Sequence, residues 1–201
     1  MHIAVVSGSH RPQSESGKVA RFVTERLHAH GMSAYLLDLG RTKIPVWQED
    51  FWSKGVDGWD ATWKDVSHQL QKVDGLVIVS PEWSGMVPPL LKNFFLLCSH
   101  SELSHKPGLI IGVTSGRSGS YPVAELRMSS YKNTKICYLP EHLIIRNVEH
   151  VLNGPEAAST DDSETRSRLD YSLELLGHYA RALKPIRNEA VIAKSPYPFG
   201  M

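Results

Sequence analysis

Ser9, Arg11, Ser14 and Ser16 crowd into the polar stretch GSHRPQSES at 8–16, directly after the apolar run Ile3, Ala4, Val5 and Val6. Short hydroxyls, free backbone N–H groups and one guanidinium at the turn from a strand into a helix suit an anion, because the helix dipole adds partial positive charge there. A phosphate is the natural guest. Ser9, Ser14 and Ser16 can donate to its oxygens, and Arg11 can pair with its charge. Ser14 or Ser16 would cap the following helix in any case, so the stretch also has a purely structural use. It is neither the G-x-x-x-x-G-K-[ST] loop nor the three-glycine dinucleotide fingerprint. Two more stretches share its Gly, Ser and Pro content. SPEWSGMVPP at 80–89 contains Pro81, Glu82, Trp83, Ser84 and Gly85, a rigid turn whose amides can meet the polar edge of a planar ring beside the indole of Trp83. TSGRSGSYP at 114–122 brings Ser115, Gly116, Arg117 and Ser118, where glycine permits close backbone approach to a ligand. Ser115 does not stand in G-x-S-x-G, which argues against a hydrolase nucleophile.

The elements that must position these stretches alternate regularly. Apolar, β-branched runs predict strands over 3–7, 34–39, 75–80, 109–114 and 142–146. Helical periodicity falls over 16–30, 60–73, 87–100, 120–135 and 162–183. The runs LVIVS and LIIGVT do not alternate polar with apolar residues, as expected of strands buried on both faces of a parallel sheet. Five β–α alternations make an α/β, doubly wound open sheet. In such a sheet ligands bind outside the carboxyl ends of the strands, and each polar stretch follows a predicted strand. One domain is expected over 1–190, with an extended tail over 191–201. The segment 45–63 carries Trp47, Trp52, Trp59 and Trp63 and is long for a βα loop. Its indoles can cover a ligand, fill a contact between subunits or pack the loop onto its own domain.

The 201 residues suffice for one domain with a substantial core. A net charge of +1 provides no global field to recruit nucleic acid or an anionic membrane, and neither partner is expected. No apolar run approaches the roughly 20 residues needed to span a bilayer. The chain opens in strand-like sequence without a basic region and apolar core of the secretory kind, and Cys98 and Cys137 show no metal or redox spacing. A cytoplasmic protein with reduced thiols is the expectation, and no metal site is foreseen among the scattered histidines.

The three stretches together resemble the NADPH-dependent FMN reductases, a flavodoxin-like family that includes quinone, chromate and azo-dye reductases. GSHRPQS resembles the family's G-S-x-R-x-x-S phosphate loop, SPEWSGMVPPLLKN its T-P-E-Y-N-x-x-x-P-x-x-L-K-N flavin loop and helix, and TSGRSG its serine–glycine loop. The resemblance implies a flavodoxin-like three-layer sandwich with a five-stranded parallel sheet in the order 2-1-3-4-5 and helices on both faces. It implies FMN, with phosphate contacts from Ser9, Arg11, Ser14 and Ser16. Ring contacts would come from Pro81, Glu82, Trp83, Ser84 and Gly85, with Ser115, Gly116, Arg117 and Ser118 on the adjacent wall. Ser16, Trp83 and Ser84 stand where the family usually has Asn, Tyr and Asn, exchanges that keep hydrogen bonding or aromaticity. NADPH or NADH would be co-substrate and a quinone-like or other small molecule the acceptor. A homodimer or homotetramer is implied, with the helix bearing Leu90, Leu91, Phe94, Phe95 and Leu97 near the contact.

The activity so implied is an FMN-dependent NAD(P)H oxidoreductase. Flavin carries the redox chemistry, and no side chain is required as catalytic nucleophile or metal ligand. The alternative is a non-enzymatic flavin-binding electron carrier or redox-responsive module. Against the carrier stands the near-neutral charge, since electron-transfer flavodoxins tend to be strongly acidic. A nucleotide-binding domain without flavin and an assembly component with a vestigial cleft complete the alternatives.

Overall fold

A computed structural model describes residues 1–53, 55–193, 195–197 and 199. Five strands, β1 (His2–Ser7), β2 (Ser33–Asp38), β3 (Gly75–Pro81), β4 (Pro107–Val113) and β5 (Cys137–Ile145), form one sheet in the order β2-β1-β3-β4-β5. Every pairing is parallel. The helices are α1 (Glu15–Ala29), α2 (Ala61–Lys72), α3 (Pro89–Leu97), α4 (His100–Leu103), α5 (Ser120–Ser129), α6 (Thr160–Leu183) and α7 (Ala190–Ala193).

Side-chain alternation along the strands feeds two cores. Ile3, Val5, Val77, Val79, Leu109 and Ile111 meet Val19, Val23 and Leu27 of α1 and Leu169, Leu173 and Leu176 of α6. Ala4, Val6, Leu76, Ile78 and Ile110 meet Trp63 and Leu70 of α2, Leu91 and Phe94 of α3, and Leu126 of α5. Helices cover both faces, which explains why β3 and β4 are buried at every position. The chain winds outward in opposite directions from β1 and β3. The crevice at their carboxyl ends is therefore the switch point where α/β sheets take ligands.

Several boundaries differ from the sequence expectation. α3 begins at Pro89 rather than 87, because consecutive prolines allow a helix only from the second, whose missing N–H is free anyway. The chain then breaks at Cys98 and restarts as α4, whose capping box joins Ser99 to Glu102. α5 stops at Ser129 instead of 135: the Ser130 hydroxyl donates to Leu126 O at 2.6 Å and Thr134 to Ser130 O at 2.6 Å, turning the chain toward β5. The tail expected to be extended from 191 instead starts in α7, where the Ile192 N–H donates to Glu189 O at 3.0 Å. Positions 194, 198, 200 and 201 of that tail lie outside the described residues.

Candidate functional site

The loop after β1 ends where Ser14 caps α1, its Oγ accepting the Gly17 N–H at 3.0 Å. The other N–H groups of the first turn have no intrahelical acceptor and point out of the helix end. Ser9 is buried, and its Oγ accepts the Arg11 N–H at 3.2 Å, folding the loop back over the turn. Both hydroxyls keep their hydrogens for another acceptor. Arg11 itself is exposed. Its backbone passes so close to Gly40 that a Cβ there would lie 2.4 Å from Arg11 O, so this position, two residues past β2, must be glycine. Ser16 is buried on α1.

The loop after β3 is a tight hairpin. Trp83 and Met86 exchange N–H···O bonds of 3.0 Å around Ser84 and Gly85, whose φ values of 51° and 73° are those of a two-residue primed turn. The edge of His10 meets Trp83, with ring centroids 4.5 Å apart and planes at 87°, so the first loop touches the second. Downstream, Glu125 of α5 accepts the Val87 N–H at 2.8 Å and pairs with Lys92 at 2.5 Å. Burial pushes the Glu125 carboxyl up, but Lys92 and the Val87 N–H outweigh it and hold the group below the usual carboxylate range.

One cavity of about 600 Å³ lies at the switch point. Ser9, Arg11, Ser14, Ser16, Pro81, Glu82, Trp83 and Ser115 all line it. Ser84, Gly85, Gly116, Arg117 and Ser118 are not on its wall: Ser84 and Gly85 form the hairpin tip, and the other three belong to the exposed rim after β4. The carboxylate of Glu82 accepts the Gly119 N–H at 2.7 Å, so it joins the second loop to the third.

Sequence reasoning missed part of the wall. Lys18, Arg21, Arg41, Thr114, Val148 and Glu149 also line the cavity. Lys18 stands one helical turn beyond Ser14, and its ammonium donates to Val148 O at 2.6 Å, Val151 O at 3.1 Å and Asn153 Oδ1 at 2.7 Å. The usable signal was topological: a loop leaving the carboxyl end of β5 belongs on the same rim as those leaving β1, β3 and β4.

This donor set fits a mononucleotide flavin. Two spare hydroxyls, a helix N-terminus and a guanidinium line the cavity together with a hairpin carrying an indole. A profile of the NADPH-dependent FMN reductases matches residues 1–150. The chain belongs to that family. Family membership makes it an oxidoreductase of the kind that uses FMN and NAD(P)H. Among its relatives is a quinone reductase of Pseudomonas putida, 30% identical over 123 residues, which are 59% of this chain and 63% of that protein. An FMN-dependent NADPH-azoreductase of Staphylococcus aureus is 27% identical over 82% of this chain and 87% of its own length. In the fold, a flavoenzyme NAD(P)H:(acceptor) oxidoreductase from Paracoccus denitrificans superposes with a TM-score of 0.70 at 18% identity, covering 90% of this chain and 97% of that one. An NADH:FMN oxidoreductase in its apo form superposes at 0.66 and 16% identity, over 98% and 97%.

The tryptophan-rich segment packs on its own domain. Phe51 stacks on Trp59 at 5.1 Å with planes 5° apart, the Trp59 Nε1–H donates to Phe51 O at 3.1 Å, and Trp63 is fully buried in α2. Trp52 remains 42% exposed. Among the described residues no helix is long and apolar enough to cross a membrane.

Proposed function

We propose that this chain binds FMN in the switch-point cavity and passes reducing equivalents from NAD(P)H to a small diffusible acceptor of the quinone or azo type. The observation that carries the reading is the single cavity shared by Ser9, Ser14, Arg11, Pro81, Trp83 and Ser115. Bound FMN supplies hydride acceptance and onward electron delivery; the protein supplies position, hydrogen bonds and exclusion of water. Ser9, Ser14 and the first-turn N–H groups of α1 hold the phosphate, with Arg11 closing over its charge. Pro81, Glu82 and Trp83 flank the ring, the Trp83 indole lying beside it. The names of the quinone reductase and azoreductase relatives support the acceptor class.

We further propose that two copies associate across α3 and α5. The family resemblance puts the helix bearing Leu90, Leu91, Phe94, Phe95 and Leu97 near such a contact, and burial decides which of its side chains could reach a partner. Leu91, Phe94 and Leu97 are fully buried inside the chain's own core, while Lys92 and Leu96, one turn apart, face outward. Leu96, 55% exposed, lines an apolar groove of about 630 Å³ with Trp47, Trp52 and Phe95, and Met128 of α5 is 75% exposed. A pair of copies would cover these side chains.

The test is titration of the purified protein with FMN followed by flavin fluorescence, then anaerobic addition of NADPH while the visible spectrum is recorded. Saturable quenching, bleaching by NADPH and recovery on adding a benzoquinone are expected. Failure to bind added FMN overturns the reading; binding without bleaching by NADPH or NADH points to the electron carrier.

A further inference from the structure

The third loop has little to hold it in place. Residues 115–118 are exposed, and their local bonds are Gly116 N–H to Thr114 Oγ1 at 3.2 Å and a contact of 3.5 Å between Thr114 Oγ1 and Ser118 Oγ. The helix that follows has no local cap either. Its N-cap position is Gly119, with φ at 101° and no side chain to accept the orphaned N–H groups of the first turn. A capping serine or aspartate cannot stand there, because a Cβ on Gly119 would lie 2.6 Å from Ile144 Cγ2. The acceptor that α5 lacks locally comes from another loop: Glu82 Oε2 takes the Gly119 N–H at 2.7 Å. A carboxylate at a helix N-terminus is also the charge the helix dipole favours.

The opposite side of the loop is held by the Asn147 N–H, which donates to Gly116 O at 3.3 Å, and by a guanidinium. Arg146, immediately after β5, donates through Nε to Arg117 O at 2.6 Å and Ser118 O at 3.1 Å. One charged group therefore takes the N–H at the loop's end and another takes the two carbonyls before it. Both are charge-assisted hydrogen bonds, the stronger kind. We infer that Glu82 and Arg146 are positioning residues: together they brace the 115–119 loop, whose first residue Ser115 lines the cavity, against the Pro81–Trp83 wall, so that Ser115 and that wall keep one spacing. This inference rests on the FMN reading of the cavity. It gives Glu82 a structural partner in place of a direct ligand contact and adds Arg146, a residue off the cavity wall, to the machinery of the site.

The test uses Glu82→Ala, Glu82→Gln and Arg146→Met with two measurements. Amide hydrogen exchange of the protein without added flavin reads the brace itself. Exchange at Gly119 is expected to accelerate about tenfold in Glu82→Ala and Arg146→Met, and to return to within about threefold of wild type in Glu82→Gln, whose amide oxygen still accepts. FMN fluorescence titration reads the consequence: affinity should fall about tenfold in the two disruptive variants and recover in Glu82→Gln. Arg146 is exposed, so its replacement gives a folded variant even if Glu82→Ala does not fold. Unchanged exchange at Gly119 overturns the brace, and faster exchange with undiminished FMN affinity overturns its positioning role. Impairment of Glu82→Gln as deep as that of Glu82→Ala overturns the hydrogen-bond account in favour of charge alone. If the wild-type protein takes up no FMN, the functional reading falls while the exchange measurement still judges the brace.

Discussion

Ser14 holds two positions in one physical argument. Its Oγ accepts the Gly17 N–H, and its own hydrogen is free to donate to the phosphate proposed there. Replacing it by alanine removes both. Ser14→Ala is expected to cost about 1 kcal/mol of stability, the usual worth of such a cap, and to weaken FMN binding as well. Ser14→Asp separates the two roles. A carboxylate caps a helix as well as a hydroxyl does and suits the dipole, so stability measured by urea unfolding should stay at or above wild type. The same carboxylate puts a negative charge against the phosphate and has no hydrogen to donate, so FMN affinity should drop more than in Ser14→Ala. Equal FMN affinity in Ser14→Asp and wild type would place the phosphate elsewhere. The phosphate loop could be proposed from sequence because its residues are neighbours in the chain and their cap chemistry is local. Glu82, Arg146 and Lys18 act on backbone groups from distant segments, and no local pattern announces such bonds.

At the scale of elements, Asn93 decides how the long 39–60 connection sits. Its Oδ1 accepts the Trp47 N–H at 2.8 Å, and its Nδ2 donates to Pro45 O at 2.8 Å. One acceptor and one donor facing one N–H and one carbonyl is a match that only an amide supplies at this length. Asn93→Ala should destabilise the fold by roughly 1–3 kcal/mol, the cost of leaving partly buried backbone groups unpaired. The indole emission should shift to the red as the segment loosens. Asn93→Asp should be no better, since a carboxylate faces Pro45 O with a second acceptor. Native-like emission and melting in both variants would show that the Phe51–Trp59 stack alone seats the segment. Asn93 lies in the LLKN run that carried the family resemblance, yet the sequence offered no hint of its partner in the β2–α2 connection. Strand centres were legible for the opposite reason: the middles of β1, β3 and β4 are apolar on both faces because helices cover both sides. Helix ends were less so. Whether 87–100 is one helix or two turns on Pro88, Pro89 and the Ser99–Glu102 capping box, while hydrophobic periodicity runs through the break.

Across the whole molecule, the two ends of the sheet carry different kinds of charge. The carboxyl ends open on the cavity; the amino ends hold buried ions. Lys106, just before β4, is 4% exposed, and its ammonium donates to Leu70 O at 2.6 Å and Gln71 O at 3.2 Å, carbonyls left over at the end of α2. Asp74, just before β3, accepts the His2 N–H at 3.1 Å and pairs with Lys184 at 3.0 Å and Arg187 at 3.2 Å. Burial pushes the Asp74 carboxyl up, but His2, Lys184 and Arg187 together hold it below the usual range. Asp162 and Asp170 end below it too, where burial is outweighed by Arg166 and by Arg26. The stability from these carboxylates is present above about pH 4 and is lost as the pH falls through their lower folded-state values. Lys106 acts at the other end of the scale. Burial foremost, then Arg187, brings its ammonium down to about 8 from an ordinary 10.5. Between those values the folded chain binds fewer protons than the unfolded one, so this residue's contribution rises with pH. Cys98 and Tyr138, both pushed up by burial, contribute the opposite slope at alkaline pH and hide the lysine in the total. Subtraction recovers it. Urea unfolding of wild type and Lys106→Met at pH 7, 8.5 and 10 should give a difference that shifts in favour of wild type by about 1–3 kcal/mol as the pH rises. Because the substituted methionine cannot titrate, the groups that do not interact with Lys106 cancel in that difference, and of the alkaline ones Cys98 alone keeps a contribution through its coupling to the lysine. A gap that stays constant from pH 7 to 10 would mean that the ammonium is as well solvated in the folded chain as in the unfolded one, and that its bonds to the end of α2 offset the whole cost of burying it.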